Sequence, residues 1–308
     1  MKVNLHTHTT YCDGKNSPEE MILDAISAGF RVLGFSGHSY TSFDESYCMS
    51  REQTLQYAAE IRSLSEKYKE KIKVFCGIEK DFFADDPAPL RDNGANDGFD
   101  YAIGSVHAVF KSFDMKKLEA DGLLPPPEGI IPAADGCYVY VDWTAEAMEW
   151  AIAHLYGGSG LALAEDYFDH AAQIAAWPDV QIAGHFDLLT KFDERRAAEG
   201  KDPLFDTEDL RYAAAASRAI AALADAGKIF EINTGAMSKG YRTAPYPSLP
   251  LLSEIRKAGG RIMINSDCHA AGKLETGFEL AAELARKAGF THRTVLTPAG
   301  IWEEVPLC

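Results

Sequence analysis

The chain has 308 residues, of which 46% are apolar, and a formal net charge of −16 from 30 basic and 46 acidic side chains. That size and apolar share suit a soluble globular chain with a sizeable core, built as one large domain or two small ones. The acidic balance argues against a nucleic-acid or anionic-membrane surface, and no apolar run is long enough to span a bilayer; a small anionic substrate is still compatible, because a bound metal reverses the sign of charge locally.

In chain order, Val3–Leu5 reads as a short first strand. Ser17-Pro18-Glu19-Glu20 opens a helix that runs to Gly29, with an N-cap serine, a first-position proline and early acids. Val32–Ser36 is a second strand, Arg51–Tyr68 a charged amphipathic helix, Ile72–Cys76 a third strand and Tyr101–Ser105 a fourth. The segments 143–154 and 160–176 are helical in pattern, and Val180–Ala183 is a strand. There follow a helix over 207–226, with Gly227 suited to its C-cap, and a strand at Ile229–Ile232. Ser248–Ala258 is a helix, Arg261–Asn265 a strand, Thr276–Ala288 a helix and Arg293–Leu296 a last strand. Strand-then-helix repeated about seven times implies a parallel sheet, and this length favours a closed or nearly closed α/β barrel. The stretch 113–142, with "LLPPPEGIIP" inside it, breaks the rhythm. Its prolines argue against regular structure, and a loop that long in a compact domain is expected to act as a lid or binding loop.

The N-terminus "MKVNLHTHTT" has no apolar signal-peptide region, and the six cysteines are scattered without a CxxC pair. A reducing, cytoplasmic compartment is expected. Cys12 and Cys268 neighbour candidate ligands but read as free thiols.

The metal-type residues fall at strand ends. His6 and His8 follow the first strand, His38 the second, Glu79 the third and His107 the fourth. His185 and Asp187 follow the Val180 strand, Asn233 the Ile229 strand, and Asp267 and His269 the Arg261 strand. In a parallel α/β barrel all strand C-termini open on one face, where active sites are built. Residues i and i+2 of an extended segment share a side, so His6/His8 and Asp267/His269 each form a two-pronged clamp. Imidazole with carboxylate suits Zn, Mn or Fe. The donors outnumber what one ion needs, so two or three ions are expected, with Glu79 or Asp267 bridging. His154, His170 and His292 lie away from strand ends and read as ordinary helix or surface residues. Asp187 reads as a partner to a ligand, or a loop cap, more than as a ligand; Asn233 reads as a supporting residue.

The segments "HTHTTYCDG", "GFSGHSY", "CGIEKD", "IGSVH", "AGHFDLL", "EINTGAMSKGYRTAPYPS" and "INSDCH" resemble, in order and over nearly the whole chain, the polymerase-and-histidinol-phosphatase (PHP) superfamily of metal-dependent phosphoesterases. Within it the chain is similar to the stand-alone histidinol-phosphate phosphatase branch, to which "FDESYCMS" and "YVYVDW" also point. The resemblance implies a single domain over 1–308, a distorted (β/α)7 TIM-like barrel with a trinuclear site. It implies that His6, His8, Glu79 and Asp267 hold one ion, Glu79, His107 and His185 a second, and Asp13, His38 and His269 a third. Many relatives have histidine where this chain has Asp13, which bears on the preferred metal of the third site.

The expected activity is hydrolysis of L-histidinol phosphate by a metal-activated hydroxide, attacking phosphorus in line while the ions neutralise transition-state charge. Glu79, Asp267 and His269 are the candidate catalytic residues, and the leaving-group acid is a bound water, Asp267 or His269. Neither GxSxG, CxxxxxR nor a Walker loop is present, so no covalent nucleophile is called for. Arg242 is the first candidate for a phosphate contact, followed by Lys239 and Arg195; Asp44 and Glu45 are candidates for the substrate amino group. The alternatives are the same chemistry on a nucleotide or sugar phosphate, an amidohydrolase, or a non-catalytic metal-binding module.

Overall fold

The structure, a computed structural model, describes residues 1–81 and 99–307. Its centre is seven parallel strands in the order β1 (Val3–Asn4), β2 (Val32–Phe35), β3 (Lys73–Asp81), β4 (Tyr101–Ser105), β8 (Ile182–Ala183), β9 (Ile229–Asn233) and β10 (Arg261–Asn265). Sequence order is kept except where β5 (Ala108–Ser112), β6 (Ile130–Ala133) and β7 (Gly136–Tyr140) intervene between β4 and β8. The seam between β10 and β1 closes through a bridge at Thr7 and Cys268, with His8 N–H donating to the Cys268 carbonyl at 2.8 Å. Below that bridge side chains take over: the Leu5 N–H donates to Asn265 Oδ1 (2.9 Å) and the Ser266 N–H to Asn4 Oδ1 (3.1 Å). Two buried asparagines thus stand in for ladder bonds that two short strands do not supply.

The helices form where the local signals put them. Ser17/Glu20 and Ser50/Gln53 are reciprocal capping boxes for the helices Pro18–Ser27 and Arg51–Tyr68. Their apolar faces, including Met21, Ile22, Tyr57 and Ile61, pack against the outside of β2 and β3 through Leu33, Phe35, Val74 and Cys76. Inside the barrel, Tyr101 fills space that Gly34 and Gly77 leave free: a Cβ on either glycine would meet the tyrosine at 2.3 Å. Its hydroxyl reaches the carbonyls of Leu5 (2.5 Å) and Phe35 (2.8 Å).

Two segments differ from expectation. Arg293–Leu296 lies within β11 (His292–Leu296), which pairs antiparallel with β12 (Trp302–Pro306) and not with the barrel. Val295 and Leu296, with Trp302 and Val305, cover apolar residues from the first turns of the barrel strands, among them Val3, Val32, Phe75 and Ile229. The stretch 113–142 is also more regular than its prolines suggest. It holds a short helix, Met115–Ala120, and two of the three strands of the antiparallel sheet β5-β7-β6. Pro132 is accommodated because β6 is an edge strand, where a missing N–H costs no ladder bond. This sheet stands over the C-terminal mouth of the barrel, its Tyr138 stacked on Phe43 at 3.8 Å between ring centres.

Candidate metal centre

At the C-terminal mouth a cavity of about 390 Å³ is lined by Asp13, His38, Glu79, His107, His185, Asp267 and His269, by Lys191, Lys239 and Asp142, and by an aromatic wall of Tyr47, Tyr140 and Trp143. His6 and His8 form its floor and are fully buried. Eight of these nine residues, spread over 264 positions of sequence, meet because the parallel strands all end here, as the spacing predicts; Asp13, expected from the family resemblance alone, reaches the site from the loop after β1.

Glu79 sits at the middle. Its Oε2 faces His6 Nε2 (3.1 Å), His38 Nδ1 (3.2 Å) and His8 Nε2 (3.4 Å). Its Oε1 faces His185 Nε2 (3.1 Å) and His107 Nε2 (3.7 Å), and accepts the Ser105 hydroxyl at 2.6 Å. Asp267 Oδ1 lies 3.2 Å from His8 Nε2 and 3.7 Å from His6 Nε2. Asp13 stands on the other side, with Oδ2 at 3.0 Å from His269 Nε2 and Oδ1 at 3.5 and 3.8 Å from His8 Nδ1 and His38 Nε2. Three groupings have donor spacing suited to an ion: His6, His8 and Asp267; His38, Glu79 and His107; and Asp13, His8, His38 and His269.

Whether these residues fit a metal is tested by atoms that otherwise have no purpose. His6 Nε2, His8 Nε2, His38 Nδ1 and Glu79 Oε2 are buried without a hydrogen-bond partner, and all four point at one another. Buried polar atoms normally find a partner. A cluster of orphaned lone pairs on imidazole and carboxylate is what a divalent cation satisfies. The far side of several rings is already held, as ligating histidines require. His6 Nδ1 pairs with Glu231 Oε1 (2.7 Å), His107 Nδ1 with Asp81 Oδ1, and His269 Nδ1 with the Asp267 carbonyl (2.9 Å).

Without a metal the rings differ in charge, and an ion binding here displaces the protons that neighbouring carboxylates hold on some of them. Burial, reinforced by repulsion from His269 and His38, pushes the His8 imidazole down to about 3, so it is neutral and free to ligate at pH 7. Burial also acts on His107, but Asp81 and Glu79 overcome it and raise that ring to about 10. Burial drives the Glu79 and Asp267 carboxyls up, yet the neighbouring cations, His6 foremost, hold both well below the usual range. The backbone is shaped for this too. Asp267 has φ of 47°, a conformation few residues with a side chain adopt, and Gly235 packs so close that a Cβ there would meet Asp267 Oδ2 at 2.7 Å.

Supporting residues divide between those expected and those not. Asn233 donates to Glu231 Oε2 at 2.9 Å and lies 3.4 Å from Asp267 Oδ2. Asp187 is buried but faces away from the rings, accepting the Ser248 N–H at 3.0 Å. Among the candidate substrate contacts only Lys239 reaches the cavity, its Nζ 3.4 Å from His269 Nε2. The Arg242 guanidinium turns into the protein wall against Thr190, Glu194 and the Tyr246 ring, and is not part of the lining. Arg195 is exposed and pairs with Glu199 at 3.2 Å. Glu45 is exposed, whereas Asp44 is half-buried, accepts the Ser46 N–H through Oδ1 and bonds the Tyr140 hydroxyl at the cavity wall.

Glu231, Asp81, Lys191 and Asp142 are not found by strand-end counting. Lys191 donates to the Asp142 carbonyl (2.7 Å) and carboxylate (3.2 Å) at the cavity edge. Glu231 and Asp81 did leave a signal. Each is two residues from a recognised site residue, Asn233 and Glu79, and so on the same side of its strand.

The chain is similar to known proteins over most of its length. The PHP domain family matches residues 4–235. A Schizosaccharomyces pombe protein named as a probable histidinol-phosphatase is 25% identical over 94% of this chain and 88% of its own length. A Lactococcus lactis histidinol-phosphatase is 24% identical over 94% and 92%. The crystal structure of the histidinol phosphate phosphatase from that species, in complex with zinc, L-histidinol and phosphate, superposes with a TM-score of 0.67 at 18% identity, covering 98% of both chains. With the barrel, the strand-end donors and a family match across three quarters of the sequence in hand, the chain belongs to the PHP domain family.

Proposed function

We propose that this protein is a metal-dependent phosphomonoesterase that hydrolyses L-histidinol phosphate to L-histidinol and phosphate, a reaction of histidine biosynthesis. The observation that carries the reading is Glu79, a buried carboxylate with five imidazoles ranged about its two oxygens. Similarity over full length to proteins named histidinol-phosphatase supports the substrate.

Two or three divalent ions of Zn, Mn or Fe suit the donors. His6, His8, Glu79 and Asp267 would hold one, Glu79, His107 and His185 the next, and Asp13, His38 and His269 the third. When bound, such ions supply an activated water nucleophile at neutral pH and neutralise charge on the phosphoryl oxygens. The chain's own residues do the rest. Glu231, Asp81 and the Asp267 carbonyl hold the rings at fixed orientation, so that little reorganisation accompanies the reaction. Lys239 and Lys191 are the two ammonium groups in the lining, Lys239 beside His269, and they bind the phosphate oxygens. Tyr47, Tyr140 and Trp143 pack against the leaving group and exclude water. The leaving oxygen would take its proton from a bound water, Asp267 or His269, the last two standing after the end of β10.

We further infer that the 308 residues act as one catalytic domain, with the 113–142 stretch as a wall of its cavity. Nucleic acid and membrane are not its partners, and the enzyme works in the reducing cytoplasm. Among the described residues no helix is long and apolar enough to cross a membrane, and Cys12, Cys48, Cys76, Cys137 and Cys268 are free.

The test is turnover of histidinol phosphate against a panel of nucleotide and sugar phosphates, with metal analysis before and after His8→Ala. Wild type should prefer histidinol phosphate, and the variant should lose both metal and more than about a hundredfold in activity. Equal or better turnover of nucleotides would replace the substrate, and an active, metal-replete His8→Ala would sink the metal mechanism.

A further inference from the structure

The segment after β8, Asp187 to Glu194, and the loop after β9, Gly235 to Ser248, each deliver one ammonium group to the cavity, Lys191 and Lys239. We propose that Arg242 is a positioning residue that straps these two segments together and thereby sets the placement of Lys191 and Lys239 around a bound phosphate. The inference rests on the phosphoesterase reading above.

Arg242 spans the seam between the segments. One guanidinium nitrogen, Nη1, donates to Thr190 Oγ1 and lies 3.4 Å from the Thr190 carbonyl. Its Nε is 3.8 Å from Glu194 Oε1, and its plane rests 4.6 Å over the ring of Tyr246, a residue of the cavity lining. The other links across the seam bracket it on either side. The Thr243 N–H donates to Glu194 Oε2 at 2.6 Å, and the Ser248 N–H to Asp187 Oδ2 at 3.0 Å. Lys191 Nζ itself lies 4.9 Å over the ring of Tyr241, the residue next to Arg242.

A guanidinium is suited to this task because its planar fork engages several partners at once, where an ammonium holds one point. Burial alone does not explain it. Arg242 Nε, Asp187 Oδ1, Asp193 Oδ1 and the Tyr246 hydroxyl are all buried without a hydrogen-bond partner, so the cluster is a poor way to gain stability. What it does provide is register. Thr190 is the immediate neighbour of Lys191, and Arg242 is three residues beyond Lys239 on a loop whose only strand-like tie to the barrel is the Asn233–Tyr246 bridge recorded among the described residues. Displacing a phosphate-binding ammonium lengthens its charge-assisted hydrogen bonds to the phosphate oxygens, which weakens substrate and product phosphate alike.

The test uses the metal-replete enzyme, with histidinol phosphate as substrate and inorganic phosphate as competitive inhibitor. In Arg242→Met and in Thr190→Val, KM and the phosphate Ki should each rise about tenfold while kcat stays within about twofold and metal content is unchanged. Because both substitutions cut one link, the double variant should be no worse than Arg242→Met alone. Unchanged KM and Ki in both single variants, effects that multiply, or a loss confined to kcat would overturn the strap. If Arg242→Met does not fold, Thr190→Val and Glu194→Gln decide on the same two constants. A wild type that neither hydrolyses a phosphomonoester nor binds phosphate would overturn the phosphoesterase reading instead.

Discussion

Glu231 is a carboxylate with no route to solvent, placed in the middle of an apolar strand and bonded on both oxygens: to His6 and Asn265 on one, to the His185 N–H and Asn233 on the other. Burial pushes its carboxyl up, but His6 together with His185 and the Asn233 bond holds it below the usual range. Its proposed work is to fix the His6 ring and raise its basicity. Glu231→Gln, the same size without the charge, is expected to fold and to lose roughly 10- to 100-fold in metal affinity, read by competition with a chelator. Asp267 separates backbone from charge in the same manner. Asn tolerates positive φ better than most residues, so Asp267→Asn should keep the local backbone and lower activity more than about a hundredfold; because the neighbouring cations hold this carboxyl well below its usual range, the metal-free variant should also show a lower thermal midpoint at neutral pH. At this scale the sequence was most informative where chemistry is explicit. Histidines and acids just past strand ends are conspicuous, and all nine candidate ligands meet at one mouth. Long cations were less legible. Arg242 and Lys239 sit three residues apart on one loop, yet one turns into the wall and the other into the cavity, a choice made by Thr190, Glu194 and Tyr246 from distant or neighbouring segments.

At the scale of elements, the seven barrel strands and the longer helices follow from caps and apolar periodicity. What that reading lacked was pairing partners. The strands β5, β6 and β7 lie among prolines and polar residues, and they are strands because they pair with each other over the barrel mouth. Likewise β11 is recognisable as extended, but its partner is β12 and its place is beneath the barrel. The barrel interior carries a prediction of its own. Gly77 lies on β3 against the Tyr101 ring, with 2.3 Å between an added Cβ and the nearest ring atom. Both groups belong to strands and cannot move apart freely, so Gly77→Ala should cost about 1–3 kcal/mol or more by overpacking. Urea unfolding of the metal-free protein would show this as a lower midpoint at unchanged slope.

For the whole molecule, fold and site are linked through charge. The mouth gathers carboxylates and imidazoles in a chain whose net charge is already −16. Cations that bind only the folded form stabilise it by linkage, about 2.7 kcal/mol for a site filled at a hundred times its Kd. Chelation should therefore lower the thermal midpoint, and Zn or Mn should restore it. The metal-free protein also has a pH signature. His107, raised to about 10 by Asp81 and Glu79, adds stability that is fully present below the unfolded value near 6.5 and is lost as pH rises through 10. The difference in thermal midpoint between metal-free wild type and His107→Gln should narrow over that interval, and a constant difference would contradict the assignment. The sequence by itself determined the class of fold and the identity of the donors, because strand–helix alternation and residue chemistry are local properties. Only the tertiary structure decided that Glu79 rather than Asp267 stands among the five rings, that Glu231 and Asp81 stand behind the rings, that β5–β7 forms a wall, and that Lys191 and not Arg242 faces the cavity. Those outcomes depend on which side chains meet across segments far apart in the chain, and no local pattern specifies them.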